Sequence, residues 1–275
     1  MDNRIGKYGN QVYHYTSFDV FYKMVTRDEF WLGNLSGMND KEEMFHFISL
    51  LEKYTYDNLS REGMYACSAF FERLRARTKR ESFFAMSFST AEEDASMWDR
   101  YGNRGKGVCL AFNTSRILEL TSGTTLFFNE EFYTSDLKSH EFVGILSDYF
   151  KTGKLSGGFL NEDGLMDNII AVSIMHKERS FRSEREIRLA TIIENGADVS
   201  FGNTLYHLCN DRIRKFFVLK LAEIGCSNIL DSLIDRVIIG PCSQQNLPEL
   251  CDFLKFNNLD VLSNRVEKSS SSLYI

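Results

Sequence analysis

Proline is nearly absent, with 2 in 275 residues, so Pro-rich rigid spacers between domains are excluded. The six cysteines, Cys67, Cys109, Cys209, Cys226, Cys242 and Cys251, form no C-x-x-C and have no closely spaced histidine. That pattern argues against a zinc site, and the expectation is reduced thiols, mostly in the core, with no metal. No apolar run approaches the ~20 residues that cross a bilayer. The opening MDNRIGKYGN lacks the apolar segment of a signal peptide. The expected location is therefore the cytoplasm, with no membrane partner. Neither G-x-G-x-x-G nor G-x-x-x-x-G-K-[ST] occurs, which removes the Rossmann fingerprint and the P-loop. There is no internal repeat, and low complexity is confined to the terminal KSSSSLYI.

What is present suits a globular chain: 43% hydrophobic residues, 25% charged, and 23 Phe. The net charge of -6 disfavours a general attraction to nucleic acid. The run RLRARTKR, Arg73 to Arg80, is locally basic, but helical spacing spreads its charges around the helix. It reads as a solvated helix more than as a phosphate or nucleic-acid patch.

Hydrophobic periodicity predicts mixed elements. QVYHYT (Gln11 to Thr16) reads as a strand, followed by a helix capped by Ser17. FWLG (Phe30 to Gly33) is a second strand, leading to a turn through Gly37 and Asn39-Asp40. Asn39, Asp40 and Glu43 suit a helix start, with a site role as the alternative. Helices follow near 40–60 and 62–80, then an apolar strand, Phe83 to Ser89. ASMWDRYG is a short helix stopped by Gly102, and Gly107 to Asn113 is a strand. TTLFFNEEFYT looks like a strand or hairpin arm, and helices cover about 139–152 and 165–179. Strands are expected at Glu186–Ile193, near Asn203–Leu208, at Lys215–Leu219 and at Arg236–Ile239. Gly240-Pro241 then leads to a helix capped by Ser243 or Asn246. Without a regular βαβ alternation the class is α+β. One domain is expected over 1–265, with helical insertions near 40–80 and 138–180 and a flexible tail at 266–275.

Three polar interruptions fall in otherwise apolar strands: His14-Tyr15-Thr16, Ser87-Phe88-Ser89 and Glu184-Arg185-Glu186. In an extended chain Glu184, Glu186, Arg188 and Ala190 share one face, with Ile187 and Leu189 on the other. Two carboxylates at i and i+2 repel unless a cation or hydroxyl sits between them. Buried hydroxyls and carboxylates need partners, and the three sites meeting around one cleft would supply them. Taken singly, each reads as structural: an exposed strand end with surface arginines, a satisfied histidine, and turn chemistry.

The ordered motifs VYHYTS, FWLG with MND, FAMSFS, MWDRYG with GVCLAF, K-x-x-x-F-x-x-E-x-E-x-R and VIIGP resemble a bacterial family, domain-of-unknown-function family 2971, from about Val12 to Pro241. That family is similar to the ADP-ribosyltransferase superfamily. The resemblance implies a mixed, split β-sheet core and NAD as substrate. It implies that His14 holds an NAD ribose, with Tyr15 and Thr16 beside the nicotinamide. Ser87 and Ser89 would take the middle-strand position, one hydroxyl orienting the carboxylate. Glu186 would be catalytic, and Glu184 would assist the acceptor. Pairing His14 with Ser-x-Ser mixes the superfamily's two usual patterns. Trp98 and Tyr101, three apart on one short helix, read first as core packing, with stacking on nicotinamide or adenine as the alternative that makes them candidate NAD-binding residues. Arg179, Arg182, Arg185 and Arg188 are candidates for pyrophosphate or for an ion-pair network, and the Gly240-Pro241 amides for an anion. The expected activity is ADP-ribosyl transfer or NAD hydrolysis, in a toxin or phage-defence setting. The acceptor would be a protein before a nucleic acid. The alternative expectation is a non-catalytic nucleotide- or protein-binding module.

Overall fold

A computed structural model describes residues 8–35, 41–134, 136–209, 211–224 and 229–271. Gly37, Asn39, Asp40 and Cys226 lie outside the described residues, as does the side chain of Glu43.

The strands are β1 (Gln11–Thr16), β2 (Glu29–Asn34), β3 (Glu81–Ser89), β4 (Val108–Asn113), β5 (Phe127–Glu130), β6 (Phe132–Tyr133), β7 (His176–Lys177), β8 (Glu186–Glu194), β9 (Gly202–Cys209), β10 (Arg212–Lys220), β11 (Ile234–Ile239) and β12 (Val266–Lys268). Ten of them form one mixed sheet in the order β12-β11-β4-β1-β3-β2-β10-β9, with β8 also on β3 and β5 beyond β8. The remaining pair, β6 and β7, is parallel. A mixed sheet with helices outside any βαβ rhythm is the α+β class.

A strand has two edges, yet β3 has three neighbours. Along one edge β8 pairs over its full length, from Glu81↔Glu194 to Ser89↔Glu186. The other edge is divided. Near its end Ser89 meets Tyr13 of β1, while Phe84 and Ala85 meet Asn34 and Gly33 of β2. Between them, Met86, Ser87 and Phe88 have no strand partner on that edge among the described pairings, and the sheet forks there.

The apolar run in β3 follows from burial on both faces. Phe84, Met86 and Phe88 join one core with Val12, Phe112 and Leu189, whereas Phe83 and Ala85 join a second with Phe47, Phe70 and Ile169. The second core is roofed by the helices Lys41–Tyr56, Arg61–Thr78, Glu141–Thr152 and Glu162–Ile174. The two helical segments therefore form one layer on a single sheet face. Ser17 caps the helix Phe18–Arg27, its hydroxyl accepting from Val20 N at 3.3 Å.

Two readings change. The stretch 266–275 is not all tail: Val266–Lys268 is a strand parallel to β11, and Ser269 N donates to Ile239 O at 2.8 Å. Gly102 acts by close approach instead of by a helix-ending conformation. A Cβ there would lie 2.5 Å from the Trp98 ring, which packs behind it.

Candidate active site at the fork of the sheet

The fork opens into a cavity of about 380 Å³. Its walls come from β1, the free edge of β3, β2, the β9–β10 hairpin and the helix Phe18–Arg27, together with Tyr101, Lys177, Glu184 and Glu186.

His14 repairs the broken ladder. Its Nδ1 lies 2.8 Å from the carbonyl oxygen of Ser87, which the fork leaves without a strand partner. A carbonyl only accepts, so the proton sits on Nδ1 and Nε2 keeps its lone pair. Burial lowers the His14 pKa against the opposing effect of that hydrogen bond, which keeps the ring neutral at pH 7.

The paired acids have a different backbone from an alternating strand. Glu184 ends a 3-10 turn, Arg179–Glu184, and Arg185 is left-handed at φ 46, ψ 47, so β8 starts only at Glu186. Beyond that point the alternation holds: Ile187 and Leu189 enter one core and Ala190 the other. Lys177 lies between the two carboxylates, its Nζ 2.8 Å from Glu184 Oε2 and 2.6 Å from Glu186 Oε2. Arg100 and Tyr101 donate to Glu184 Oε1 at 2.9 and 2.8 Å. Arg188 Nε donates to Glu186 Oε1 at 2.9 Å, and its Nη1 donates to Ile174 O at 2.7 Å. The arginine expected as a surface partner is thus 2% exposed. Burial alone would raise the Glu186 pKa, but Arg188, Lys177 and the Ser87 hydroxyl outweigh it and bring it to about 2. Its carboxylate is ionised at any physiological pH.

Behind Glu186 lies a third carboxyl, Glu131, which the spacing of the sequence does not single out. Its Oε1 is 2.5 Å from Arg188 Nε, but that N–H aligns on Glu186, and both Glu131 oxygens lack a donor. Burial, with the adjacent Glu186 charge, pushes the Glu131 pKa well above the carboxylate range despite Arg188. Burial therefore favours the protonated form of Glu131. Two buried anions then face two buried cations. Glu131→Gln, an isostere of the protonated acid, should leave the unfolding free energy within about 1 kcal/mol of wild type at about pH 4. At pH 7, where the raised Glu131 pKa costs wild type stability, the substitution should raise it, both measured by urea denaturation. A loss of several kcal/mol would mean that Glu131 is ionised.

The other candidates separate cleanly. Ser87, Tyr15, Thr16 and Tyr101 line the cavity with His14, Glu184 and Glu186. Ser89 and Trp98 do not. Ser89 is fully buried, donating to Glu184 O at 2.7 Å and accepting from Ala91 N at 3.0 Å, so it positions the backbone of the acid. Trp98 is core: its Nε1 donates to Glu93 at 3.2 Å and its ring meets Tyr15 edge-on at 5.0 Å. Tyr15 in turn donates to Ala91 O at 2.9 Å, so its hydroxyl is spent on the loop after β3.

Arg73, Arg75 and Arg77 of the basic run are paired with Glu162, Glu52 and Asp167, so three of its five cations are engaged within the chain. Arg179, Arg182 and Arg185 are exposed and outside the cavity wall. The Gly240 amide donates to Gly107 O at 2.9 Å and is not free for an anion. Among the described cysteines only Cys67 and Cys109 are buried, all are free thiols, and no described group of three His, Cys, Asp or Glu could hold a metal. No described helix is long and apolar enough to cross a membrane.

Sequence reasoning missed the roles of Lys177 and Glu131. The signal for Lys177 was present, since two close acids in a buried strand end demand a cation, but the nearer arginines obscured it. No curated protein matches the chain, and no solved structure does. A narrower similarity than the span from Val12 to Pro241 emerges: residues 97–189, which carry Tyr101, Lys177, Glu184, Glu186 and Arg188 but not His14 or Ser87, match the model of the family described as Protein of unknown function (DUF2971).

Proposed function

We propose that the cavity at the fork binds NAD and that Glu186 promotes cleavage of its nicotinamide–ribose bond, in the manner of the ADP-ribosyltransferase superfamily. One observation carries the reading: an ionised carboxylate, 6% exposed and held by three donors, lines the same cavity as His14 and Ser87. A carboxylate offers about four lone-pair sites. Arg188, Lys177 and Ser87 occupy three, and one remains for a ribose hydroxyl.

As the C–N bond breaks, both electrons leave with neutral nicotinamide and positive charge grows on the ribose carbon. A fixed negative charge beside it stabilises the transition state more than the ground state. His14 Nε2, as acceptor, would hold a second ribose hydroxyl. An incoming nucleophile bonds to the ribose carbon as the C–N bond breaks, and its proton passes to solvent water, with Glu184 beside its path. Water gives ADP-ribose; a protein side chain gives an ADP-ribosylated product. A toxin or phage-defence effector is the setting such chemistry implies.

The test is nicotinamide release from NAD by the purified protein, followed by mass spectrometry with and without cell lysate. No release in either case, and no thermal shift by NAD, would sink the reading. One observation favours a second reading, a non-catalytic binding module: both Glu186 oxygens already have cationic partners. That module would show a thermal shift by NAD without turnover.

A further inference from the structure

The wall of the cavity facing away from Glu186 has a different chemistry. It is built by the helix Phe18–Arg27, β2 and the β9–β10 hairpin, and it carries Lys23, Trp31, His207 and Arg214. Lys23 Nζ lies 3.1 Å from His207 Nε2 and 2.7 Å from Asp19, an acid left largely exposed and so screened by salt. Two cations of that helix lie over the ring of Trp31, Lys23 at 5.8 Å and Arg27 at 5.6 Å, with His207 edge-on at 5.2 Å.

Arg214 is the informative residue. Its Nε is buried and has no hydrogen-bond partner, and no carboxylate of the described residues pairs with its guanidinium. A buried donor left unmade is costly, more so on a charged group. A guanidinium left open in a cavity wall suits a planar, bidentate oxyanion. Arg214 sits three strands from Glu186, along β8-β3-β2-β10, roughly 14 Å across the sheet at about 5 Å per strand. The pairings also set it level with Phe83, roughly 20 Å along β3 from the Ser89 that faces Glu186. The two backbones therefore lie on the order of 25 Å apart, at opposite ends of an elongated cavity. Long side chains from both walls shorten that span.

Resting on the reading of the cavity as a nucleotide site, we propose that Arg214 and Lys23 form its phosphate end and restrict its ligands to phosphate esters of nucleosides. Carboxylates and hydroxyls take the sugar at one end; the two cations take the phosphate at the other. Nicotinamide riboside, which carries the same scissile bond without phosphate, is then excluded as a ligand.

The test is calorimetric binding of ADP-ribose, ADP and adenosine to the full chain, at low and high salt, for wild type, Arg214→Gln and Arg214→Lys. Expected are ADP and ADP-ribose binding that weakens with salt and adenosine binding at least ten times weaker. Arg214→Gln should cost about 10–100-fold on ADP and ADP-ribose and nothing on adenosine. Arg214→Lys, which keeps the charge, should recover part of the loss and guards against a mere folding defect. Equal ADP binding by wild type and Arg214→Gln overturns the proposal, as does no ADP or ADP-ribose binding by wild type. Its fate is separable from that of the NAD reading. Phosphate-dependent binding without nicotinamide release leaves it standing alone, whereas release with unchanged KM in Arg214→Gln removes it and keeps the cleavage.

Discussion

Glu186→Gln is expected to slow nicotinamide release from NAD by on the order of 10²–10³, read by mass spectrometry against wild type. The amide keeps the shape of the side chain but removes the charge that would face the developing ribose cation. It also presents an NH₂ toward Lys177 or Arg188, where only an acceptor fits. The variant will be less stable, because two buried cations lose their shared anion. The assay therefore belongs well below its Tm, with Glu131→Gln beside it as the control that alters the neighbouring carboxyl and leaves Glu186 charged. A wild-type rate in folded Glu186→Gln would remove Glu186 from the chemistry. Since Glu186 ionises near 2, it should impose no acid limb on the rate above about pH 4.

The elements that sequence periodicity defined well are those with one clear signal. Gln11–Thr16 is a strand over the expected residues because its β-branched and aromatic side chains pack on both faces, Val12 into one core and Tyr13 and Tyr15 into another, and Ser17 stops it with a helix cap. Phe83 to Ser89 could be read as a strand, but not its neighbours: nothing in FFAMSFS says that one of its edges is shared by β1 and β2 and opens between them. The fork is a property of register, and register is set by distant partners. The acids at 184 and 186 were visible as a pair, yet the strand assigned to both was wrong for Glu184. A left-handed Arg185 breaks the alternation, and a non-Gly residue seldom takes that conformation. The two nevertheless converge, because Lys177, seven residues before Glu184, bridges them. Ser89 and Trp98 were legible as residue types only. Whether a serine faces a cavity or a backbone carbonyl depends on the loop that folds over it, and Ser89 went to Glu184 O. Arg214 and Glu131 carry no local pattern at all, since each acquires its meaning from a strand that sequence places far away.

Arg188→Met should lower the unfolding free energy at pH 7 by about 3–5 kcal/mol, the usual loss when one member of a buried ion pair is removed. In a chain of this size that corresponds to a Tm lower by on the order of 10 °C. Arg188 is the side chain with most to lose: it is 2% exposed, reaches Glu186 and Glu131 with one nitrogen and holds Ile174 O with another. The pH dependence supplies the sharper reading. The folded pKa of Glu186, about 2, lies below its ordinary value of 4.5. Its contribution to stability is thus fully present above pH 4.5 and is lost as pH falls through 2. At roughly 1.4 kcal/mol per unit, that window is worth roughly 3 kcal/mol in wild type. Glu131 acts with the opposite sign: its raised pKa favours folding at low pH and costs stability as pH rises above 4.5. Wild type should therefore weaken on acidification below pH 4.5 and also lose some stability above it. Without Arg188 the main force depressing the Glu186 pKa is gone, and the acid limb should flatten. Urea unfolding from pH 2.5 to 7 measures both limbs, and an acid slope in Arg188→Met equal to that of wild type would show that Lys177 alone holds Glu186 ionised. The same pair of cations would then be dispensable in part. The network would instead owe its cost to Arg188 and its charge state to Lys177, the cation that also touches the cavity.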